Sequence, residues 1–337
     1  MSLNLPSPYL LFLGDTTEPL FAKTAYGLRD WAPAKCIGEW ACASATVTAG
    51  LPRLTPADAY ERGARALVIG VANYGGVINA SWIPLLFEAL NSGLDIIGGL
   101  HSRLADHPDL RAEAARLGRR LIDVRVPPRN IPVANGRKRG GKRLLTVGTD
   151  CALGKKYTAL SIAKAFLGRG LPAEFRATGQ TGILIAGGGM PMDAVVSDFE
   201  AGAAETLSPD AAADHWDVIE GQGSLFHPSY AAVSLGLLHG SQPDVIVVCH
   251  EAGRKHVLGL PGYSLPSVSE TIELNLAMGR RTNPAIRCAG VSINTVHLSS
   301  DAAEHYLQEL TVELGMPVAD PIRAGTRFER LIDSCLT

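Results

Sequence analysis

Short apolar runs of strand length alternate with stretches of helical periodicity along the whole chain, and the runs end in glycine or polar residues. That rhythm predicts an α/β protein built from parallel sheets with crossover helices. Two further observations divide it. The segment Leu144–Phe166 joins an apolar run to a helix through a loop ending in Gly154-Lys155-Lys156, and a Pro-, Gly- and Arg/Lys-rich stretch covers residues 126–143. The stretch has the composition of a linker. A length of 337 residues suits two domains, each with its own core. The expected organisation is a Rossmann-like parallel-sheet domain over 1–134, a basic Gly-rich linker over 135–142, and a P-loop NTPase-like parallel-sheet domain over 143–337.

The first half supplies Tyr9–Leu13 as a strand ending at Gly14-Asp15-Thr16-Thr17, then Arg65–Val71 as a second, leading to Asn73-Tyr74-Gly75-Gly76. Ser81–Leu90 reads as a helix and Leu94–Gly98 as a further strand before Gly99-Leu100-His101. In such sheets ligands lie at the carboxyl ends of strands, so these exits are candidate site edges, or glycines used only to leave a strand. In the second half, strands are expected at Leu144–Val147, Ala173–Ala177, Trp216–Glu220, Pro243–Cys249 and Arg287–Ile293. All five finish in polar or glycine-rich residues on what should be one sheet edge. The basic cluster of the linker reads as a solvated run, or as a contact for an anionic ligand through Arg137, Lys138 or Arg139.

Composition excludes several functions. A net charge of −2 gives no electrostatic case for nucleic acid or an anionic membrane. No apolar run approaches a membrane span, and Met1-Ser2-Leu3-Asn4-Leu5-Pro6 lacks a cationic leader; a cytoplasmic protein is expected. Six scattered cysteines without a C-x-x-C pair make neither a disulfide framework nor a zinc site.

The loop Gly148-Thr149-Asp150-Cys151-Ala152-Leu153-Gly154-Lys155, set between a strand and a helix N-terminus, has the parts of an anion site. Loop amides and the helix dipole face the ligand, and Lys155 adds a point charge. Five residues separate Gly148 from Gly154, which matches the Gly-Thr-Asp-x-x-x-Gly-Lys form of dethiobiotin synthetase. Lys156 stands where a hydroxyl would hold Mg²⁺, with Tyr157 after it. Two ammonium groups in place of a metal ligand suit phosphate binding without a metal; Thr158 is the remaining hydroxyl.

Around the loop, Glu220 ends a strand where phosphate-loop proteins place an acidic residue, followed by Gly221-Gln222-Gly223-Ser224. His227 and His250 are candidate general bases. Asp198 is either a site carboxylate or a helix cap. Arg176 and Arg254 could clamp a substrate carboxylate, and Asn294 closes a strand where it could read a base. Gln180 and Thr181, with Gln222 and Ser224, are candidate substrate contacts. Cys151 is a loop filler or a nucleophile.

Several stretches together carry a resemblance: residues 147–156, Ala177-Thr178-Gly179-Gln180-Thr181-Gly182, Ser197-Asp198-Phe199, Glu220–Ser224, Leu238-His239-Gly240-Ser241 and Asn294-Thr295, with Lys23–Trp31 and Gly98–His101 in the first half. They are similar to a two-domain bacterial and archaeal phosphate-loop family, long uncharacterised, some of whose members are assigned as D-glutamate N-acetyltransferases. The resemblance runs over nearly the whole chain. It implies acetyl-CoA as donor, an acidic D-amino acid as acceptor, a catabolic role with a partner racemase or epimerase, and a homo-oligomer. On that reading no metal is needed, the loop from Gly148 to Tyr157 with Asn294 holds the cofactor, and Glu220, His227, His250 or Asp198 serves catalysis. The alternative is an ATP- or GTP-dependent ligase of the dethiobiotin synthetase type with Mg²⁺ on Glu220 and Asp198. A nucleotide-bound switch is a third reading, which the number of polar strand ends disfavours.

Overall fold

The computed structural model describes residues 3–337, and they form two compact units, Met1–Val126 with Gly179–Pro191 and Pro127–Thr178 with Met192–Thr337. In the first unit the strands are β1 (Tyr9–Phe12), β2 (Cys36–Trp40), β3 (Ala66–Ile69), β4 (Asp95–Gly98) and β5 (Leu121–Asp123). They lie in the order β2-β1-β3-β4-β5, and every pairing is parallel. The helices between them are α1 (Lys23–Trp31), α2 (Pro56–Glu61), α3 (Ile83–Asn91) and α4 (Pro108–Leu117). All residues of β1, β3 and β4 are buried, as a parallel sheet covered on both faces requires. Thr55 starts α2 with a capping box to Asp58. Trp82 sets the exit of β1: its ring stands edge-on to Phe12 at 5.7 Å and its Nε1 donates to Asp15 Oδ1 at 2.8 Å. Gly14 has φ +57°, and a Cβ there would lie 2.6 Å from the indole, so only glycine fits.

The second unit has β6 (Lys142–Gly148), α5 (Lys155–Gly168) and β7 (Ala173–Arg176). The chain then gives α6 (Gln180–Ala186) to the first unit. It returns through α7 (Glu200–Leu207), β8 (Trp216–Ile219), α8 (Ala231–Ser241) and β9 (Val245–Glu251). A hairpin of β10 (His256–Val257) and β11 (Leu260–Ser264) follows, then α9 (Val268–Gly279), β12 (Arg287–Asn294), α10 (Ser300–Leu314), β13 (Val318–Ala319) and α11 (Thr326–Leu336). Six strands form a parallel sheet in the order β13-β12-β9-β6-β8-β7; among the described residues only the hairpin is antiparallel. The core joins Leu144, Val218, Val245 and Val247 to Ile162 and Phe166 of α5 and Leu331 and Ile332 of α11.

All five strands expected in the second half are present, and the α/β class with two parallel sheets stands. The expected domain limits require correction. Residues 135–142 are no linker: the second unit begins at Pro127, and of its basic run Arg139 and Arg143 are buried while Arg137 and Lys138 stay exposed. Arg139 donates to Ser208 O and Gly240 O, both at 2.7 Å, and Arg143 to Gly140 O at 2.9 Å and Pro209 O at 3.0 Å. Lys138 pairs with Asp244 and Arg137 with Asp210. Burial, then the neighbouring Arg143, pulls Arg139 down to about 10. Arg139 and Arg143 thereby tie the segment before β6 to the ends of α7 and α8. Among the described residues no helix is long and apolar enough to cross a membrane.

Helix α8 meets α7 at glycines: a Cβ on Gly236 would lie 2.6 Å from Glu200 Oε2 and one on Gly240 2.1 Å from Ala201 O. Gly240→Ala is expected to destabilise the second unit by about 2 kcal/mol, an overpacking cost against backbone that cannot yield. Urea unfolding measures this, and an unchanged midpoint would contradict the packing described.

Candidate functional site

The carboxyl ends of β6, β8 and β9 converge on the loop between β6 and α5. Gly148 admits the loop because a Cβ there would press on Cys249 O at 2.9 Å. Ala152 at φ +53° and Gly154 at φ +108° turn the chain so that α5 begins at Lys155. Lys155 is 6% exposed, and its Nζ donates to Asp150 O at 2.6 Å. Burial lowers its pKa, against the pull of Cys151, Cys249 and Asp150. Its stem runs beside Gly221, where a Cβ would meet Lys155 Cδ at 3.1 Å and Thr146 O at 1.6 Å. Gly221 N donates instead to Thr146 Oγ1 at 2.9 Å. That backbone approach sets the segment after β8 against the loop.

Asp150 is fully buried and organises the loop. Its Oδ1 accepts from Cys151 N at 2.6 Å, and its Oδ2 accepts from Leu258 N at 2.8 Å and Arg254 at 3.2 Å. Arg254 also donates to Cys151 O at 2.9 Å and to Glu251 at 2.5 Å. The arginine expected to clamp a substrate carboxylate therefore clamps the loop, and the hairpin is pinned to the same carboxylate. Arg176 is likewise engaged elsewhere, with Nε on the buried Asp217 at 2.7 Å and Nη1 on Glu174 at 2.7 Å. Those partners lie back along β7 and β8, so the expectation of a substrate contact at Arg176 is corrected.

Glu220 is 5% exposed. Its Oε2 accepts from Thr178 N at 3.0 Å, and Thr178 Oγ1 donates to Glu220 O at 2.7 Å. Gln222 Nε2 donates to that same hydroxyl at 2.8 Å, and buried Ser224 accepts from Phe226 N. Asp198 stays outside: it is exposed in a single turn, Ser197–Phe199, packed on α7 and α8. Neither of its expected roles is seen, since that turn and α7 have no side-chain cap. Thr158 offers no hydroxyl, because it pairs with Ser292 at 2.8 Å in the core. Lys156 lies over the Tyr157 ring at 5.3 Å. Asn294 ends β12 with Oδ1 accepting from Val296 N at 3.1 Å.

The two histidines differ from free bases. His227 is buried and stacked near Tyr230 at 4.5 Å. Its Nδ1 accepts from Ser229 N at 3.0 Å, which assigns the proton to Nε2, 3.8 Å from Asp150 Oδ1. Burial keeps its pKa below the ordinary value, against Asp150. Asp150, Cys151 and His227 offer three donor atoms within 4.8 Å of one another. With Nδ1 taking a backbone N–H, however, Nε2 is an N–H donor and not a metal ligand or proton acceptor in this arrangement. His250 pairs with Thr149 Oγ1 through Nδ1 at 2.9 Å. Burial, then the Arg254 cation, pushes it down to about 4. Gln180 and Thr181 belong to the first unit. The sequence did not reveal the clamp of Arg254 and Leu258 N on Asp150; the charged residues at 251 and 254 after a buried strand were its only signal.

Comparison with known proteins agrees with this architecture. Residues 132–331 match the domain of unknown function DUF1611_C, a P-loop domain, and residues 34–127 match DUF1611_N, a Rossmann-like domain. A D-glutamate N-acetyltransferase of Tritonibacter scottomollicae is 49% identical over 330 residues, 98% of each chain. Another, from a Pseudoalteromonas species, is 46% identical over 323 residues, 96% of this chain and 97% of that one. The crystal structure of a DUF1611 family protein from Anabaena variabilis is similar with a TM-score of 0.88 at 33% identity, covering 98% of this chain and 99% of the other.

His250 yields a pH prediction. Its folded pKa lies below that of an unfolded histidine, so the unfolded state binds more protons between about 6.5 and about 4. Stability should fall as pH drops through that window. His250→Gln should flatten the fall, read as urea midpoints from pH 7 to 4; an unaltered slope would contradict a neutral buried imidazole.

Proposed function

The chain belongs to the DUF1611 family, and on that premise we propose that it is an N-acetyltransferase moving the acetyl group of acetyl-CoA to the amine of D-glutamate. The observation that carries this is 49% identity over 98% of the chain to a protein named D-glutamate N-acetyltransferase, joined to a phosphate-type loop with Lys155 at the start of α5. Lys155, the amides at the start of α5 and the His227 Nε2–H are donors suited to a CoA phosphate. No hydroxyl stands at 156 to hold Mg²⁺, and Thr158 is bound to Ser292, so the donor set suits metal-free phosphate binding better than phosphoryl transfer. A catabolic role and a partner racemase or epimerase belong to the same proposal, as does a homo-oligomeric, cytoplasmic enzyme.

Glu220 is the proposed proton acceptor. It is a buried carboxylate at the strand edge, whereas His227 carries its proton on Nε2 and His250, pushed down to about 4, is a weaker base than an ordinary imidazole. The pantetheine arm is long, so it must fold back for the thioester to reach Glu220 while a phosphate sits on the loop. Glu220→Gln decides this: a fall in kcat of about 10²-fold or more with unchanged acetyl-CoA affinity supports the role. Lost affinity with normal kcat would make Glu220 part of the phosphate site.

The assignment itself is tested by thiol release from acetyl-CoA and D-glutamate in excess EDTA. Undiminished release supports acyl transfer on this loop. A strict need for Mg²⁺ with ATP or GTP, and no thiol release, would favour the ligase alternative. Lys155→Ala should weaken acetyl-CoA binding by about 10- to 100-fold, the worth of a charge-assisted hydrogen bond, without lowering the thermal midpoint. Calorimetry showing wild-type affinity would remove the loop from the proposal.

A further inference from the structure

The first unit contains a polar group that its own fold does not satisfy. Gln180 opens α6 and is 8% exposed, yet its Oε1 is buried with no hydrogen-bond partner. A buried acceptor left unpaired costs about 1–3 kcal/mol, and most such groups in folded proteins have a partner. The amide lies against Gly99, immediately beyond the carboxyl end of β4: a Cβ on Gly99 would sit 2.2 Å from Oε1. Beside it in sequence, Thr181 Oγ1 meets Thr24 Oγ1 at 2.9 Å, both buried. Two hydroxyls sharing one hydrogen bond leave one O–H hydrogen without an acceptor among the described residues. Thr24 is in the first turn of α1, whose Ala25 N donates to Gly70 O just past β3. Thus an unpaired acceptor and a spare hydroxyl donor lie at the carboxyl ends of β3 and β4. The order β2-β1-β3-β4-β5 reverses direction between β1 and β3, and this is the sheet edge where open parallel sheets bind ligands.

The geometry points to a site for an α-amino-acid head group, with Gln180 Oε1 accepting from the amine and the Thr24–Thr181 pair donating to the carboxylate. An amine supplies the N–H that the amide carbonyl lacks, and a carboxylate takes the spare hydroxyl hydrogen. Gly99 leaves room for the amide where any larger residue would displace it. This rests on the acetyl-transfer reading, and it names the residues that bind the acceptor substrate of that reaction. They act in binding; no proton transfer is assigned to them.

The test compares the full-length wild type with Gln180→Leu and Gly99→Ala. Leucine fills a similar volume with no polar atom, so Gln180→Leu should fold with an equal or higher thermal midpoint. Its KM for D-glutamate should rise about tenfold or more, the loss of one substrate hydrogen bond, while KM for acetyl-CoA stays unchanged. Gly99→Ala, which pushes the amide aside, should raise KM for D-glutamate in the same way. Calorimetry with D-glutamate alone, without acetyl-CoA, should show binding to the wild type and loss in Gln180→Leu. If the wild type releases thiol with D-glutamate and Gln180→Leu keeps its KM, the amide holds only a water and the inference is overturned while the enzyme assignment survives. If the wild type neither binds D-glutamate nor acetylates it, the assignment falls and the head-group site with it.

Discussion

A lysine ammonium withdrawn from water is the constraint around which the second unit is arranged. Desolvation penalises the charge of Lys155, and one carbonyl, Asp150 O, is a partial answer. The Asp150 carboxylate is not turned to it; it is spent on Cys151 N, Leu258 N and Arg254. Arg254 bridges Asp150 and Glu251 and is balanced there, while Lys155 at the amino end of α5 meets a neutral carbonyl. The adjacent imidazoles are kept neutral: burial disfavours their charged forms, and Arg254 adds to that at His250. A cation at His250 would meet Arg254, and one at His227 would meet Lys155 with only Asp150 to offset it, whereas a neutral N–H adds a donor.

That arrangement depends on backbone contact that only glycine permits. Gly221 lies where a Cβ would be 1.6 Å from Thr146 O, and Gly223 where one would be 2.5 Å from Tyr230 O. Gly221 brings the end of β8 against β6, and Gly223 seats the following turn on the start of α8; beside them Glu220 and Gln222 both bond to Thr178. The pattern Glu-Gly-Gln-Gly is thus a packing requirement first. The position of its carboxylate follows from that packing.

The sequence made legible the features that rest on local chemistry. Long apolar strands such as Val245–Glu251 and the loop from Gly148 to Lys155 could be read because periodicity and glycine placement are local. Asp198 and Arg176 could not be placed, since whether a charged side chain faces a site or an ion pair depends on partners distant in sequence, such as Asp217 for Arg176. The basic stretch before β6 misled for the same reason. Its composition is that of a linker, but Arg139 and Arg143 find carbonyls at 208, 209 and 240 that no composition reveals. Strands of two or three residues, Leu121–Asp123 and Val318–Ala319, carry too few positions for a period to emerge.

The tautomer of His227 shows how a second layer of contacts decides chemistry. From sequence, a histidine near a phosphate loop invites the role of base. One backbone hydrogen bond, Ser229 N to Nδ1, fixes the proton on Nε2 and turns the ring into a donor beside Asp150. Acting as a base would require breaking that bond within a buried setting and tilting the ring away from Tyr230, each at a cost. The same bond withdraws His227 from the apparent metal triad with Asp150 and Cys151, since a metal-bound Nε2 would leave the ring proton on Nδ1 facing another N–H. A single main-chain amide thereby withdraws the imidazole from the three potential ligands and leaves its Nε2–H as a donor beside Asp150.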